Sequence, residues 1–251
     1  MEARDPDDTK AQAHRETLAI VSHDIRAPLG VILGAVTELA SPSLGTLTEE
    51  QRALLQLVRR SCEKLTRLAN NVAFLQRVEG PDAGNLDLAV QPVDLRILVR
   101  RALEGFAKAG EVGKLSVVAD LPEAPAEASV DPDRASLALV NVLANAVRFA
   151  RREVRVSIAM TDAEVTVAVE DDGPGIAPAA VAGLFDRQAR IRASAGKTAS
   201  GLGLVIVKAI VDAHGGTTRG ANRADVEPPG PDGAPVRGAR FELGFPRARV
   251  T

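Results

Sequence analysis

Tryptophan and tyrosine are absent from this chain, aromatics make up 2% of it, and a single cysteine stands alone. The core must therefore be packed with Ala, Val, Leu and Ile, and with 45% of the 251 residues hydrophobic there are enough of them. Lone Cys62 excludes an intramolecular disulfide framework and fits a reducing compartment. Neither charge is in excess: the formal net charge is -2 and the pI is near 6.0. Electrostatics therefore gives no reason to expect nucleic acid or an anionic membrane as partner. Long apolar runs are missing too. The most apolar window, Pro28 to Val36, is broken by glycines and falls short of the roughly 20 residues that span a bilayer. The charged amino terminus, MEARDPDDTK, lacks a signal-peptide apolar segment. These absences predict a soluble, cytoplasmic chain without direct membrane insertion, built as one large domain or two ordinary ones.

What is there begins with two long helical patterns. From about residue 9 to 40, Leu18, Ile25, Ile32 and Leu39 recur every seven residues, with Val21, Leu29 and Val36 filling the same stripe. SPSLGT, Ser41 to Thr46, breaks the pattern with Pro and Gly. Thr48 followed by Gln51 reads as a capping box, opening a second helix to about Val78 with a stripe of Leu54, Val58, Leu65, Leu68, Val72 and Leu75. Two helices joined by a short loop form an antiparallel hairpin. A lone hairpin cannot cover so wide a stripe, so pairing of two copies into a four-helix bundle is expected, making the protein a homodimer.

EGPDAGNLDLAVQP, Glu79 to Pro92, has linker composition, and the pattern then changes to alternating helices and strands. Helices are expected near Asp94 to Ala109, Pro132 to Ala150 and Leu202 to Ala213. Strands are expected at Leu115 to Ala119, Val154 to Met160, Val165 to Glu170 and Arg240 to Phe245. ANRADVEPPGPDGAP (residues 221–235) reads as a disordered loop. The fold class is α+β: a helical hairpin, then a two-layer sandwich with a largely antiparallel sheet. The expected boundaries are 9–79 for the hairpin, 80–92 for the linker and 93–248 for the second domain.

Helical phase puts His23 opposite the stripe, facing solvent rather than core. Asp24 beside it can accept a hydrogen bond from one imidazole nitrogen, fixing the tautomer and leaving the other nitrogen more nucleophilic. Pro28 leaves the Asp24 carbonyl without its helical donor and predicts a kink there. His14, on the same helix, lacks both the adjacent acid and the proline.

In LVNVLANAVRFA, Asn141 and Asn145 lie one helical turn apart on one face, with Leu137, Val140, Leu143 and Val147 expected on the buried side. An amide carbonyl is a hard oxygen ligand suited to Mg²⁺. In VEDDGPGIAP, Gly173 and Gly175 permit a tight turn and a close backbone approach to a ligand, and Asp171 can accept from an exocyclic amine. In ASGLGL, Gly201, Leu202 and Gly203 open a helix, where exposed amides favour phosphate.

In this order the motifs resemble the catalytic core of a two-component sensor histidine kinase over nearly the whole chain. HDIRAPL stands as the H-box, NVLANAVRF as the N-box, DDGPGI as G1, GLFDRQAR as the F-box region and SGLGLVIVKAIVDAHGG as G2. The second domain resembles the ATP-binding fold shared with gyrase, Hsp90-type chaperones and MutL. The resemblance implies that ATP and Mg²⁺ are the cofactors and that His23 accepts the γ-phosphoryl, with Asp24 orienting or deprotonating it. It implies that Asn145 ligates Mg²⁺, Asn141 lines the same face and Arg148 reaches phosphates. Asp171 would read the adenine amine above a floor shaped by Gly173 and Gly175, and Gly201, Leu202 and Gly203 would hold the lid. The partner implied is the receiver domain of a response regulator, which takes the phosphoryl group on an aspartate. Input is expected from a separate sensor protein or a segment outside this sequence.

Three positions depart from the family. Of the two F-box aromatics only Phe185 is kept, with Gln188 in the second place, so weaker lid docking is expected; Ala199 stands where G2 often begins with Gly. Four residues after His23 the family commonly carries Thr or Asn, implicated in placing the water that dephosphorylates the regulator. Here it is Ala27, which cannot hydrogen-bond through its side chain. Loss of phosphate from a purified phospho-regulator is therefore expected to be slow with this protein and faster with Ala27→Thr. Rapid removal that requires the wild-type protein and is unmoved by Ala27→Thr sinks the expectation.

Overall fold

The computed structural model describes residues 24–78, 87–109, 111–186, 202–228 and 236–248. The chain divides into two compact units, Met1–Leu86 and Asp87–Thr251.

The first unit is the expected hairpin. Helix α1 (residues 24–39) runs into a 3₁₀ turn at Pro42–Leu44, and α2 follows at Glu49–Val78. The capping box forms: the Thr48 amide donates to Gln51 Oε1 at 2.9 Å, and the Gln51 amide donates to Thr48 Oγ1 at 3.1 Å. Each half satisfies one amide that the first helical turn leaves unpaired. Two cross-links set the register. Arg26 Nε donates to Asn70 Oδ1 at 2.8 Å, and Arg59 donates to Thr37 Oγ1 at 3.2 Å. The two bridges are eleven residues apart on both helices, as antiparallel packing requires.

The apolar stripe of α1 is not uniform. Leu29 and Val36 are buried against α2, whereas Ile25, Ile32 and Leu39 remain 39%, 42% and 51% exposed. On α2 the buried positions are Cys62, Ala69, Asn71, Phe74 and Leu75, while Leu54, Val58 and Leu65 are exposed. The seven-residue pattern thus contains two seams, one closed within the hairpin and one left facing outward. Pro28 lies inside α1, and His23 lies outside the described residues. Among the described residues no helix is long and apolar enough to cross a membrane.

The second unit is built on a five-stranded sheet of order β2-β4-β5-β7-β6. Its strands are β2 (Ser116–Asp120), β4 (Glu153–Met160), β5 (Glu164–Asp171), β6 (Thr217–Asn222) and β7 (Ala239–Pro246). The β2–β4 pair is parallel and the other three pairs are antiparallel. A separate antiparallel pair joins β1 (Gln91–Asp94) to β3 (Glu127–Val130). Alternation along the strands sends Val154, Val156, Val165, Val167, Phe241, Leu243 and Phe245 into the core. There they meet α4 (Pro132–Phe149) and α6 (Leu202–Ala213), and α3 (Leu95–Lys108) packs on α4. The opposite face of the sheet is a polar trough that includes Ser157, Thr166, Arg219, Arg240 and Glu242. Short helices α5 (Pro178–Val181) and α7 (Arg223–Val226) complete the unit.

Four local expectations change. Strands β1, β3 and β6 replace stretches read as linker or loop, and β1 takes in Gln91 and Pro92. The start of the segment read as disordered is ordered: residues 221–222 end β6 and 223–226 are helical. Residues 229–235 lie outside the described ones. Asp94 is not in α3 but caps it, accepting from the Arg96 amide at 3.0 Å. On α4 the buried face is Ala135, Ala138, Leu139, Val142, Leu143 and Ala146, while Leu137, Val140 and Val147 are half-buried. The buried arc is wider than a single stripe because α4 packs against α3, α6 and β5.

One residue ties together three segments of this unit. Asp131 caps α4 through Oδ1, which accepts from the Asp133 and Arg134 amides at 3.0 Å each. Its Oδ2 accepts from the Ala89 amide at 3.1 Å, anchoring the chain as it enters the unit. Its own amide donates to His214 Nε2 at 2.9 Å. His214 Nδ1 lies 2.7 Å from the Ile210 carbonyl, so the ring is the neutral Nδ1–H tautomer. Asp131→Ala removes the cap and the Ala89 anchor together. It is expected to cost about 1–2 kcal/mol in urea unfolding, with Asp131→Ser, which keeps a capping oxygen, falling between alanine and wild type.

Candidate functional site

Strand β5 ends at Asp171 in the middle of the sheet, and the loop that follows turns over the carboxyl end of α4. Asp171 is 2% exposed. Its Oδ1 accepts from the Gly173 amide at 2.8 Å and from the Ala239 amide at 3.4 Å. Its Oδ2 makes no hydrogen bond among the described residues. Burial pushes this carboxyl above the ordinary range, against the opposing pull of those two amides. Asp172 goes the other way. Its partial burial works upward, but the Arg152 and Arg151 amides, at 3.0 and 2.7 Å, outweigh it and hold the group low. Asp172 therefore fastens the loop to the α4–β4 turn, while Asp171 keeps one oxygen available. Glu170, the next residue back, points to the opposite face of the sheet, where Arg240 pairs with it and Arg223 approaches within 3.9 Å.

The glycines here are required by contact. A Cβ on Gly173 would stand 2.4 Å from the Phe149 carbonyl oxygen, which no side chain survives. Gly175 adopts φ 79°, and a Cβ there would meet Asn222 Oδ1 at 2.5 Å. Gly238, at φ 112°, packs its α-carbon onto the Asp171 carbonyl, where a Cβ would come within 1.7 Å.

Helix α4, whose Phe149 carbonyl abuts Gly173, carries the two asparagines, and their environments differ. Asn141 is buried, and its Nδ2 donates to the Leu137 carbonyl at 2.9 Å. Its Oδ1 lies 3.1 Å from where a Gly203 side chain would begin, so it sets the contact between α4 and the first turn of α6. Asn145 is half-buried and makes no hydrogen bond among the described residues. Arg148 is exposed, its guanidinium 5.0 Å from the Phe149 ring centroid. Leu202 and Gly203 begin α6; Gly201 and Gln188 lie outside the described residues. Phe185 sits beside Gly220 of β6, whose missing side chain leaves room for buried Leu184. Asp24 is exposed on α1 in the other unit.

Four residues of this site escape sequence reasoning. Asn222 lies in a stretch that reads as loop. Gly238 shows only as a glycine just before the last strand. Asp172 is masked by the acid beside it. Phe149 passes for a helix end, yet its carbonyl abuts Gly173 of the loop and its side chain is 40% exposed.

Two family models match the chain. One, the His Kinase A (phospho-acceptor) domain, covers residues 13–81. The other, the Histidine kinase-, DNA gyrase B-, and HSP90-like ATPase, covers residues 130–249. The chain is 32% identical over 212 residues to the circadian input-output histidine kinase CikA of Synechococcus elongatus, covering 81% of this chain and 28% of that protein. It is 32% identical over 219 residues to the sensor protein KdpD of Escherichia coli, covering 86% of this chain and 24% of that protein. The chain thus spans about a quarter of the length of these relatives. Among solved structures, full-length ShkA in complex with AMPPNP aligns with TM-score 0.60 at 29% identity, covering 94% of this chain and 46% of that one. Acinetobacter baumannii histidine kinase AdeS aligns with TM-score 0.56 at 22% identity over 90% of this chain and 98% of that one, a likeness of fold.

The Asp171 carboxyl sets a sign for pH dependence. Its native value lies above the unfolded value of 3.8, so its burial costs nothing below that value and weakens the fold as pH rises through the native one. Asp171→Asn keeps an oxygen for both amides and carries no charge. It is expected to melt above wild type at pH 7, with the advantage shrinking as pH falls and disappearing below 3.8. A mutant equally or less stable than wild type at pH 7 overturns this.

Proposed function

This chain belongs to the histidine kinases of two-component signalling, and on that premise we propose that it phosphorylates His23 from ATP and passes the group to an aspartate of a response-regulator receiver domain. The observation that carries the nucleotide reading is the buried Asp171 carboxylate, with one oxygen occupied by backbone amides and the other left open. An open carboxylate oxygen selects a hydrogen-bond donor, and the exocyclic amine of adenine is one. Phe149 offers the base a flat apolar face at the same mouth. Gly173 lets the loop close onto the Phe149 carbonyl and the Asp171 carboxylate, where a Cβ would collide with both. On the phosphate side, α6 begins at Leu202, so its first amides and dipole favour the triphosphate, with exposed Arg148 as a cation.

Mg²⁺ suits the same region. The uncommitted carbonyl of half-buried Asn145 is the oxygen donor that would hold it, whereas Asn141 is spent on α4 and α6. When bound, the ion supplies neutralisation of charge on the phosphate oxygens. The remaining roles fall to the chain itself. Asp24 orients His23 and accepts its proton, a His23 nitrogen forms the new N–P bond, and the bond from the γ-phosphorus to the bridging oxygen of ADP breaks. Asp171, Asn145 and Arg148 position and neutralise, which is most of what phosphoryl transfer asks of a protein.

The outward apolar seam of Ile25, Ile32, Leu39, Leu54, Val58 and Leu65 is the face we assign to a second copy, completing a four-helix bundle. We assign the hairpin domain to 9–79 and end the second domain at 248; of the 80–92 stretch expected as linker, Gln91 and Pro92 are part of β1.

Incubation with γ-labelled ATP and Mg²⁺ tests the reaction. Wild type is expected to acquire acid-labile, base-stable label, His23→Gln to acquire none, and Asn145→Ala to lose at least tenfold in rate. Label that persists in His23→Gln removes His23 from the mechanism.

A further inference from the structure

The loop from Asp171 to Ile176 is pinned at its start by the Asp171 bonds to Gly173 and Ala239. Its other end is pinned by one side chain. Asn222 Oδ1 accepts from the Ile176 amide at 2.6 Å, and Asn222 Nδ2 donates to the Ile176 carbonyl at 3.0 Å. Both main-chain groups of one residue are thus taken by one amide 46 residues away, as a neighbouring strand would take them. The fit is close from the other side as well, because only a glycine at 175 lets Asn222 Oδ1 come so near. Asn222 occupies the cap position of α7, where its residue type commonly bonds the helix amides, yet it makes no side-chain cap bond. Its side chain is spent on the loop instead.

We infer that Asn222 is a positioning residue that fixes the pose of the Asp171–Ile176 loop and thereby the choice of base at the nucleotide site. The inference rests on the kinase reading above. The open Asp171 oxygen attracts the exocyclic amine of adenine and repels the carbonyl that guanine carries at the same place. That discrimination depends on the carboxylate staying where it is. With Ile176 released, the loop can shift, the adenine bond weakens and the repulsion of guanine relaxes. A residue that merely stabilised the domain would weaken both nucleotides alike.

Titration calorimetry of the full chain with ADP and with GDP, in Mg²⁺, tests this on wild type, Asn222→Ala and Asn222→Asp. Wild type is expected to prefer ADP. Asn222→Ala is expected to lose about three- to tenfold in ADP affinity with little change for GDP, so the preference narrows. Asn222→Asp keeps the acceptor for the Ile176 amide and puts a carboxylate against the Ile176 carbonyl, so it is expected to narrow the preference as well, in a chain that retains one of the two bonds if the alanine variant does not fold. Autophosphorylation at saturating ATP is expected to stay within about twofold of wild type, the loss appearing in KM. An ADP-to-GDP preference unmoved in both variants overturns the role of Asn222 alone. Wild type that binds no ADP overturns the nucleotide reading itself.

Discussion

A carboxylate shut away from water destabilises a fold unless its oxygens find donors, and at Asp171 only half of that need is met from within. Oδ1 has two backbone amides, and Oδ2 has none among the described residues. Much of the second unit is arranged around this imbalance. β5 lies third of five in the sheet, so its end is flanked by β4 and β7. Gly238 admits the Asp171 carbonyl, Asp172 ties the loop to the α4–β4 turn, and Asn222 closes the far end. The loop is held at three points, and the unsatisfied oxygen is what they hold in place.

The same division of labour runs through α4. Asn141 and Asn145 share a helical face and a residue type, yet neighbours separate their work. Asn141 is buried and bonds back to Leu137, a link that is structural in kind. Asn145, one turn toward the open end, is left with its amide uncommitted. The hairpin shows a parallel separation. Leu29 and Val36 join α1 to α2, and Ile25, Ile32 and Leu39 of the same repeat stay outside that contact. One apolar stripe therefore serves two neighbours.

Most of the architecture is legible in the sequence where one rule dominates. The capping box at Thr48 and Gln51, the bounds of α6 and the antiparallel run of β4 and β5 follow from local chemistry and periodicity. Strands β1 and β3 are not legible, because QPVD and EASV are four residues long and too short to show alternation. β6 hides for another reason: Gly220 makes TTRGAN read as loop, and its need for glycine lies in Leu184, far away in sequence. In the site, the motif glycines and Asp171 are visible as a pattern. Asn222 is not, since nothing near it announces that its partner is Ile176. The buried face of α4 is misread because the helix packs against three neighbours, which moves the buried arc off a single periodic stripe.

Close packing also decides where glycine stands in the second unit. Gly173, Gly203, Gly220 and Gly238 each border a backbone or side-chain atom that occupies the space of a missing side chain. Gly175 joins them, since its φ of 79° and the Asn222 Oδ1 at 2.5 Å from a would-be Cβ leave it no more room for a side chain. The space a side chain would need is already filled by protein atoms, so what these positions exclude is bulk. A polar and an apolar replacement of equal bulk should be equally unwelcome, and hydropathy will not rank them.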